Sequence, residues 1–296
     1  MIIVFGSINL DLIFPVPRIP GPGETVLGPS IHIEPGGKGA NQAVAAARDG
    51  ASVIMAGAVG RDSLATSATA LLREANVDLT RVSECDITTG CATIVVDPSG
   101  NNAIAVGSGA NLNAHQIQLE NALLNATNTL VLQMEVPASE TVALIHRARG
   151  RGARIILNLA PAAVLPETAL RELDILIVNE TESAWLADHL SCSDGAAQLR
   201  DRLDVTIIRT LGGDGLEVAT AAGVTALPAH QIAAVDTTAA GDCFVGVLAA
   251  ALDRGASLTA ALDRAMAAAA LCCTRPGSQS SIPTAAETDA FLSARL

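Results

Sequence analysis

The segment with the clearest chemical character is Val-Asp-Thr-Thr-Ala-Ala-Gly-Asp at residues 235–242, which runs into the apolar stretch 243–252. That stretch predicts a helix, and the small residues before it leave the backbone N–H groups of Ala240, Gly241 and Asp242 accessible. Free N–H groups at a helix start attract anions and can stabilise a transferring phosphoryl group. Asp242 can act there as a general base on a hydroxyl. Helix capping is a simpler interpretation of Asp242, but it explains neither the small residues nor the other acid of the segment.

Two glycine-rich segments are further candidates for ligand binding. Residues 36–41 read Gly-Gly-Lys-Gly-Ala-Asn and lead into a predicted helix, so Lys38 and Asn41 could hydrogen-bond a polyol at its start. Residues 210–215 read Thr-Leu-Gly-Gly-Asp-Gly, in which a hydroxyl and glycine N–H groups could cradle phosphate oxygens. Taken singly, an ordinary helix entry and an ordinary glycine turn remain open for these two segments.

Polar side chains also follow several of the predicted strands. Asn9 and Asp11 follow the first strand and share one face, as a carboxylate and an amide suited to sugar hydroxyls. Glu135 ends a later apolar run, and Asn179 and Glu182 follow another. Asn179 and Glu182 could form a capping box, or they could hold the water shell of a magnesium ion. Turn formation and a solvated loop carboxylate are the simpler alternatives for Asn9, Asp11 and Glu135.

Short apolar runs alternate with Ala-rich segments along most of the chain, which predicts an α/β fold with a doubly wound, mostly parallel sheet flanked by helices. The predicted strands are 2–5, 53–55, 130–133, 154–157, 175–178 and 205–209. The predicted helices are 40–48, 63–74, 138–149, 181–189 and 196–203, and residues 239–296 are expected to be mostly helical. Two segments, near 13–35 and 88–108, break the alternation and predict a small projecting β-sheet.

Composition excludes several classes of function. The formal net charge of −12 and the scarcity of aromatic residues argue against a nucleic-acid partner. The six cysteines form no C-x-x-C pair, and no apolar run is long enough to span a membrane. With no signal peptide recognised, we expect a cytoplasmic protein with reduced thiols. The P-loop, the dinucleotide fingerprint and the G-x-S-x-G elbow are also missing.

Taken together, these segments resemble the ribokinase-like (phosphofructokinase-B) family of carbohydrate kinases. The matching segments are GSINLD, GGKGANQA, LQME, NETE, TLGGDG and VDTTAAGD, and they occur in order over the whole chain. The resemblance implies a single kinase domain over residues 1–296, in which the small β-sheet is a lid over the sugar. It also implies a homodimer that forms through the lids.

The resemblance assigns roles to individual residues at the sugar. Asp242 would be the base, and the backbone of Ala240, Gly241 and Asp242 would form the anion hole. The implied sugar contacts are Asn9, Asp11, Gly37, Lys38, Asn41, Glu135 and Asp242, with Ala92 and Val106 as apolar contacts from the lid.

A second set of implied roles concerns the nucleotide and the ions. The implied ATP contacts are Asn179, Thr210, Gly212, Gly213, Gly215, Gly241 and Met266, the last at a position that is often polar in the family. Glu182 would help to position Mg²⁺ that arrives with ATP. A monovalent cation, K⁺ by the family's pattern, would be held by Asp236, Thr238, Cys272, Arg275, Gly277 and Ser281, several through backbone carbonyls.

Within the family, the resemblance is strongest at the segment GGKGANQAVAA and at Glu135, and it implies D-ribose as the substrate, with transfer from ATP to its 5-hydroxyl. Deoxyribose, fructose and a nucleoside stay open as alternative acceptors on the same fold. A non-catalytic sugar sensor is the alternative from another class. Asp242, Gly241 and the pair of Asn179 and Glu182 argue against a sensor, since sensing needs none of them.

Overall fold

Successive residues of the first strand pack into opposite layers of the protein. In the computed structural model, which describes residues 1–294, Ile2 and Val4 pack in one hydrophobic cluster, and Ile3 and Phe5 pack in another. All four side chains are fully buried. A strand that is covered on both faces has no reason to alternate apolar with polar residues, which explains its continuous apolar run.

The main sheet of the described chain contains nine strands, and its order is β13-β12-β11-β10-β9-β8-β1-β4-β5. Neighbouring strands are parallel from β5 across to β11, whereas β12 pairs antiparallel with both β11 and β13. The bounds are β1 (Ile2–Phe5), β4 (Val53–Gly60), β5 (Asp78–Cys85), β8 (Thr129–Leu132), β9 (Arg154–Asn158), β10 (Ile175–Asn179), β11 (Thr206–Thr210), β12 (Leu216–Thr220) and β13 (Gly223–Leu227).

The order of the strands reverses at β1. The chain adds β4 and β5 on one side of β1, and it then adds β8 to β13 on the other side. In open α/β sheets, ligands bind outside the carboxyl ends of the strands at such a reversal. The crevice between the ends of β1 and β8 is therefore where a site is expected, and both strands are followed there by polar residues.

Helices cover both faces of this sheet. Helices α1, α8 and α9 contribute to the cluster that contains Ile2, and α4, α6 and α7 contribute to the cluster that contains Ile3. No helix within residues 1–294 is both long and apolar enough to cross a membrane. The bounds are α1 (Lys38–Arg48), α2 (Ser63–Ala68), α3 (Ala70–Glu74), α4 (Ala138–Arg149), α5 (Glu167–Leu170), α6 (Glu180–Leu190), α7 (Ala196–Leu203), α8 (Ala240–Asp253), α9 (Leu258–Cys273) and α10 (Ala285–Ser293).

A second, four-stranded sheet has the order β3-β2-β6-β7. Its strands are β2 (Asn9–Pro15), β3 (His32–Gly36), β6 (Gly90–Val96) and β7 (Asn102–Gly107). The register places Asp11 of β2 beside Glu34 on one side and beside Ala92 on the other. Val106 of β7 is next in the same row. These four side chains therefore share one face of the small sheet.

The predicted fold class is confirmed: a mostly parallel sheet is flanked by helices, and a small separate sheet accompanies it. The predicted helix 63–74 is wrong as a single helix, because it ends at Ala68 and restarts at Ala70. At the break, the Thr69 hydroxyl donates to the carbonyl of Ala65 at 2.7 Å, an interaction that competes with the regular helix ladder.

Other element boundaries also differ from those predicted. The strand expected at 53–55 continues to Gly60, and β5, β12 and β13 were not predicted. These three lie at the two sides of the main sheet, where half-exposed residues weaken the apolar pattern. The C-terminal part is helical in α8, α9 and α10, and residues 295 and 296 lie outside the described chain.

Helices α1 and α8 approach each other closely at Gly246. A Cβ atom at this position would lie 2.4 Å from the Gln42 carbonyl oxygen and 2.6 Å from Ala45 Cβ. Only glycine allows this separation of the two backbones. Asp242 lies one turn before Gly246 on α8, so the contact brings the first turn of α8 against the start of α1.

Candidate active site

Asp242 is held by two side-chain amides from α1. Asn41 Nδ2 donates to Asp242 Oδ2 at 2.9 Å, and Gln42 Nε2 donates to Asp242 Oδ1 at 2.9 Å. Asp242 as a whole is only 6% exposed. Because each oxygen accepts one bond from a different donor, the plane of the carboxylate is fixed. Gln42 was not predicted as a site residue; a glutamine among Ala and Val on a helix is the signal that could have found it.

The backbone at the start of α8 is shaped to receive an anion. Ala239, just before the helix, has a left-handed φ of 57°. Ala240 N–H donates to Thr237 O at a long 3.3 Å, and within residues 1–294 the N–H groups of Gly241 and Asp242 have no acceptor. A Cβ atom on Gly241 would meet nothing within 4 Å, so the space beside the Gly241 backbone is open.

Negative charges dominate the crevice beside Asp242. Burial and, to a smaller extent, the nearby carboxylates of Glu135, Glu34 and Asp242 together raise the pKa of Asp11 to about 7. Lys38 is the cation among them, and its pKa is raised mainly by the charge of Asp242. The arrangement offers several hydrogen-bond acceptors to a neutral polyol, whereas it would repel a ligand that carries a negative charge.

Glu135 joins the end of β8 to the start of α1. Its Oε2 accepts hydrogen bonds from Ser7 Oγ at 2.5 Å and from the Lys38 backbone N–H at 3.1 Å. A carboxylate at the N-terminus of a helix is favoured by the free N–H groups there. The structure thus places Glu135 beside the glycine segment, with Ser7 as a partner that was not predicted.

Asn9 lies at the start of β2 and is almost fully buried. Its Oδ1 accepts from Asn111 Nδ2 at 2.6 Å, and Asn111 Oδ1 accepts from the Ile8 backbone N–H at 2.9 Å. Asn111 therefore orients the amide of Asn9, which keeps its NH₂ group as a donor. Asn111 was not predicted, since an asparagine in a loop gives no distinct signal.

The polar residues on the side of β10 and β11 form a second group. The register pairs Asn179 with Thr210 at the carboxyl ends of these strands. Asn179 and Glu182 form a capping box, with Asn179 Oδ1 accepting from Glu182 N at 2.8 Å and Glu182 Oε2 accepting from Asn179 N at 2.9 Å. Burial raises the pKa of Glu182, and the charges of Lys38 and Asp242 also act on it, so this carboxylate faces the same crevice.

The glycine turn at residues 210–215 connects β11 to β12, as its simpler interpretation expected. A short 3₁₀ turn covers Gly212–Asp214. A Cβ atom on Gly212 or Gly213 would meet nothing within 4 Å, so both backbones are accessible. Met266 is half-buried on α9.

Two loops behind the start of α8 are tied together at Asp236. Its Oδ2 accepts from the Gly277 backbone N–H at 3.0 Å, and its Oδ1 accepts from Thr238 N at 2.9 Å. Burial raises the pKa of Asp236, but these hydrogen bonds outweigh it and hold the pKa below its ordinary value. Cys272 Sγ lies 2.9 Å from Ser281 Oγ, within the same cluster.

Arg275 of the predicted cation set and the two predicted lid contacts, Ala92 and Val106, have different surroundings. The guanidinium of Arg275 pairs with Glu287 at 2.7 Å, so its side chain is already engaged in an ion pair. Val106 of the small sheet is 51% exposed, whereas Ala92 beside it is buried next to Asp11.

The fold and the crevice define an α/β enzyme that acts on a small polar molecule at the carboxyl ends of its strands. The sequence matches the profile of the pfkB family carbohydrate kinases over residues 1–285. The chain belongs to this family and is an ATP-dependent sugar kinase.

Named relatives cover the whole chain. A ribokinase from Haemophilus influenzae is 37% identical over 98% of this chain and 97% of its own length. A deoxyribokinase from Salmonella typhi is 34% identical over 99% of this chain and 98% of its own length.

Solved structures agree with this placement. Ribokinase from Thermotoga maritima superposes with a TM-score of 0.90 at 33% identity and covers 99% of both chains. Ribokinase from Arabidopsis thaliana, solved with ribose and ATP, has a TM-score of 0.87 at 29% identity and covers 98% of both chains.

The raised pKa of Asp11 predicts a pH-dependent stability. The folded protein binds the Asp11 proton more tightly than the unfolded chain does, so stability falls as the pH rises from 3.8 to about 7. We expect Asp11→Asn to be more stable than the parent at about pH 8, by on the order of 2–4 kcal/mol. The gain should shrink as the pH falls and vanish near pH 4, as measured by urea unfolding. Asp188→Asn, at an exposed helix position, controls for the substitution, and a pH-independent gain at Asp11 would contradict the prediction.

Proposed function

We propose that the protein transfers the γ-phosphoryl group of ATP to the 5-hydroxyl of D-ribose, giving ribose 5-phosphate and ADP. The observation that carries the proposal is the carboxylate of Asp242, held by Asn41 and Gln42 beside the free N–H groups at the start of α8. The named ribokinase relatives, and the relative solved with ribose and ATP, support ribose as the acceptor.

The charges in the crevice support a neutral sugar. The charges of Glu135, Glu34 and Asp242 all act on Asp11 there, and Lys38 is a cation beside Asp242 and Glu135. Carboxylates accept hydrogen bonds from sugar hydroxyls, whereas a sugar that already carries a phosphate would meet several negative charges. Asn41 Oδ1 is buried and has no partner within residues 1–294, so it offers one more acceptor for a hydroxyl.

The reaction needs a base, a donor and a place for negative charge. In the proposed step, the oxygen of the sugar hydroxyl bonds to the γ-phosphorus while Asp242 accepts the proton of that hydroxyl. The bond between the γ-phosphorus and the β-phosphate oxygen breaks at the same time, and ADP leaves. The N–H groups of Gly241 and Asp242 stabilise the negative charge on the transferring group. The N–H group of Ala240, which already makes a long hydrogen bond to Thr237, adds to them. General base catalysis contributes about 10²–10⁴-fold, and one preorganised donor about 10²–10³-fold.

The polar residues at the carboxyl ends of β10 and β11 are the proposed nucleotide contacts. We assign ATP to the side of β10 and β11, where Asn179, Thr210 and the open backbones of Gly212 and Gly213 meet. Gly215, Gly241 and Met266 complete the proposed set. Mg²⁺ comes with ATP and neutralises phosphate charge, and the half-buried carboxylate of Glu182 would hold its water shell.

A monovalent cation fits the two loops tied at Asp236. Besides that carboxylate, the loops offer carbonyl and hydroxyl oxygens, which are the ligands that hard cations prefer. We propose K⁺ there, held by Asp236, Thr238, Cys272, Arg275, Gly277 and Ser281, with Arg275 contributing its carbonyl. The charge of the ion would stabilise the loop that carries the free N–H groups.

The small sheet is proposed as a lid and as the dimer contact of a single kinase domain. Ala92 lies beside Asp11 over the crevice, and Ile104 and Val106 on the same face of β7 are 57% and 51% exposed. An apolar face that continues past the crevice fits the lid of a second copy. The described cysteines are all free, which suits the cytoplasm that we propose as the location.

The first test measures ADP release with a panel of acceptors. We expect D-ribose to give the highest kcat/KM among D-ribose, 2-deoxyribose, fructose and nucleosides. Deoxyribose is the competing acceptor, because one relative is a deoxyribokinase. A higher kcat/KM for another acceptor would replace ribose in the proposal, and sugar binding without ADP release would indicate a sensor.

The second test removes the base. Asp242→Asn keeps the shape of the side chain, so we expect a folded protein that binds ribose within about threefold of the parent and loses about 10²–10⁴-fold in kcat. Calorimetry with ribose and coupled ADP assays measure the two quantities. Asp188→Asn, exposed on α6, is the matched control. Wild-type turnover by Asp242→Asn would exclude Asp242 as the base.

The third test addresses the cation. We expect K⁺ to raise both kcat and the midpoint of thermal unfolding above the values in a sodium-only buffer, because the ion links the two loops. Asp236→Asn should lose both responses. Equal turnover and equal unfolding midpoints in the two buffers would count against a K⁺ site.

A further inference from the structure

Gln42 is a fully buried polar side chain inside an otherwise apolar part of α1. Its Nε2 donates to Asp242 Oδ1 at 2.9 Å and to Asn158 Oδ1 at 3.2 Å. Its Oε1 accepts from Gln133 Nε2 at 2.6 Å. Burying an amide is costly unless it is hydrogen-bonded, and here both ends of the amide are used.

The hydrogen-bond partners of Gln42 allow only one orientation of its amide group. A carboxylate oxygen can only accept, so Gln42 must present its NH₂ group to Asp242. Gln133 presents its own NH₂ group to the oxygen end of Gln42. Asn158 uses its NH₂ group on the carbonyl of Ile177 at 3.4 Å, so its oxygen faces Gln42. Rotating the Gln42 amide would place oxygens against the oxygens of Asp242 and Asn158.

We propose that Gln42 is a positioning residue for the base Asp242, and that Gln133 acts on Asp242 through Gln42. The inference rests on the proposed role of Asp242. Gln42 is fully buried and donates a hydrogen bond to the carboxylate, so it acts on the reaction through Asp242. The chain of amides joins the ends of β8 and β9 to the first turn of α8.

Neutral donors suit this task. Asn41 and Gln42 each use one acceptor position on a different oxygen of Asp242, which leaves the remaining positions for the hydroxyl of the substrate. A guanidinium or ammonium in the place of Gln42 would stabilise the carboxylate more strongly and weaken it as a base. An amide fixes the direction of the carboxylate without adding charge.

Gln42→Met tests the proposal, because methionine has a similar length and no hydrogen-bonding amide. We expect kcat to fall by about 10- to 100-fold, since misplacing a reacting group by about 1 Å costs that much. The KM values for ribose and ATP should stay within about threefold, because Gln42 lies outside both proposed binding groups.

Gln118→Met is the matched control. The Gln118 amide donates to the carbonyls of Gly57 and Arg81 at 2.7 and 2.8 Å, and neither residue is a hydrogen-bond partner of Asp242 or Gln42 within residues 1–294. This variant should lose stability with little change in kcat. It measures how much stability and kcat change when any hydrogen-bonded glutamine amide is removed.

Gln133→Met provides a second, milder variant if Gln42→Met does not fold. It removes the donor to Gln42 and leaves the bond from Gln42 to Asp242 in place. A smaller loss in kcat is expected. In the double variant, the two losses should combine to less than their product, because Gln133 acts through Gln42.

Gln42→Glu supplies a readout that a structural role would not move. A second carboxylate within hydrogen-bonding distance of Asp242 makes the pair share a proton, so activity should be low near neutral pH and rise by about tenfold toward pH 9. The charge of Asp242 acts on Lys38, Asp11, Glu182 and Cys272, and these groups are the same in both proteins. A difference between the two pH profiles therefore comes from position 42.

The outcomes separate this inference from the proposed function. If Asp242→Asn retains turnover, the base assignment fails and the positioning role fails with it. If Asp242→Asn is inactive but folded Gln42→Met keeps its kcat, the positioning role alone is wrong. A uniform loss in kcat and in both binding constants, together with an unshifted pH profile of Gln42→Glu, would likewise overturn it.

Discussion

The close contact between α1 and α8 is the constraint on which the rest of the site depends. Gly246 allows the two backbones to approach, and one turn earlier Asn41 and Gln42 of α1 reach both oxygens of Asp242 on α8. If the helices were separated by the width of one methyl group, the hydrogen bonds to the carboxylate would be lost. The same contact sets the open start of α8 beside the glycine segment that begins α1, so the proposed base and the proposed sugar contacts are positioned together.

Electrostatics divides the crevice into two parts with different tasks. On the side of β1 and β2, the carboxylates of Asp11, Glu34 and Glu135 offer hydrogen-bond acceptors for hydroxyl groups and form a negatively charged region that would oppose an anion. At the start of α8, free backbone N–H groups supply the positive end of a helix dipole. The groups that we propose as phosphate contacts are backbone dipoles and not part of the net charge, so an acidic protein could bind a triphosphate through them.

Much of this was accessible to reasoning from sequence. The continuous apolar runs predicted a sheet covered on both faces, and the polar residues after those runs predicted where a ligand would bind. Both predictions depend on local sequence patterns. The continuous apolar run of β1, for example, follows from its burial on two faces. The prediction failed where local signals were weak, as at the break between α2 and α3 and in the side strands β5, β12 and β13.

The sequence by itself determined which chemical groups stand at the end of each strand and at the start of α8, because strand ends and helix starts are encoded by neighbouring residues. Only the tertiary structure decided which of these groups meet. Gln42 and Asp242 are separated by 200 positions, and Ser7 and Glu135 by 128. Such pairs form through the packing of helices on a sheet, and no periodicity in the chain reports it. Asp242 therefore could be proposed as a base from its own segment, whereas the amides that orient it became visible only once α1 lay against α8.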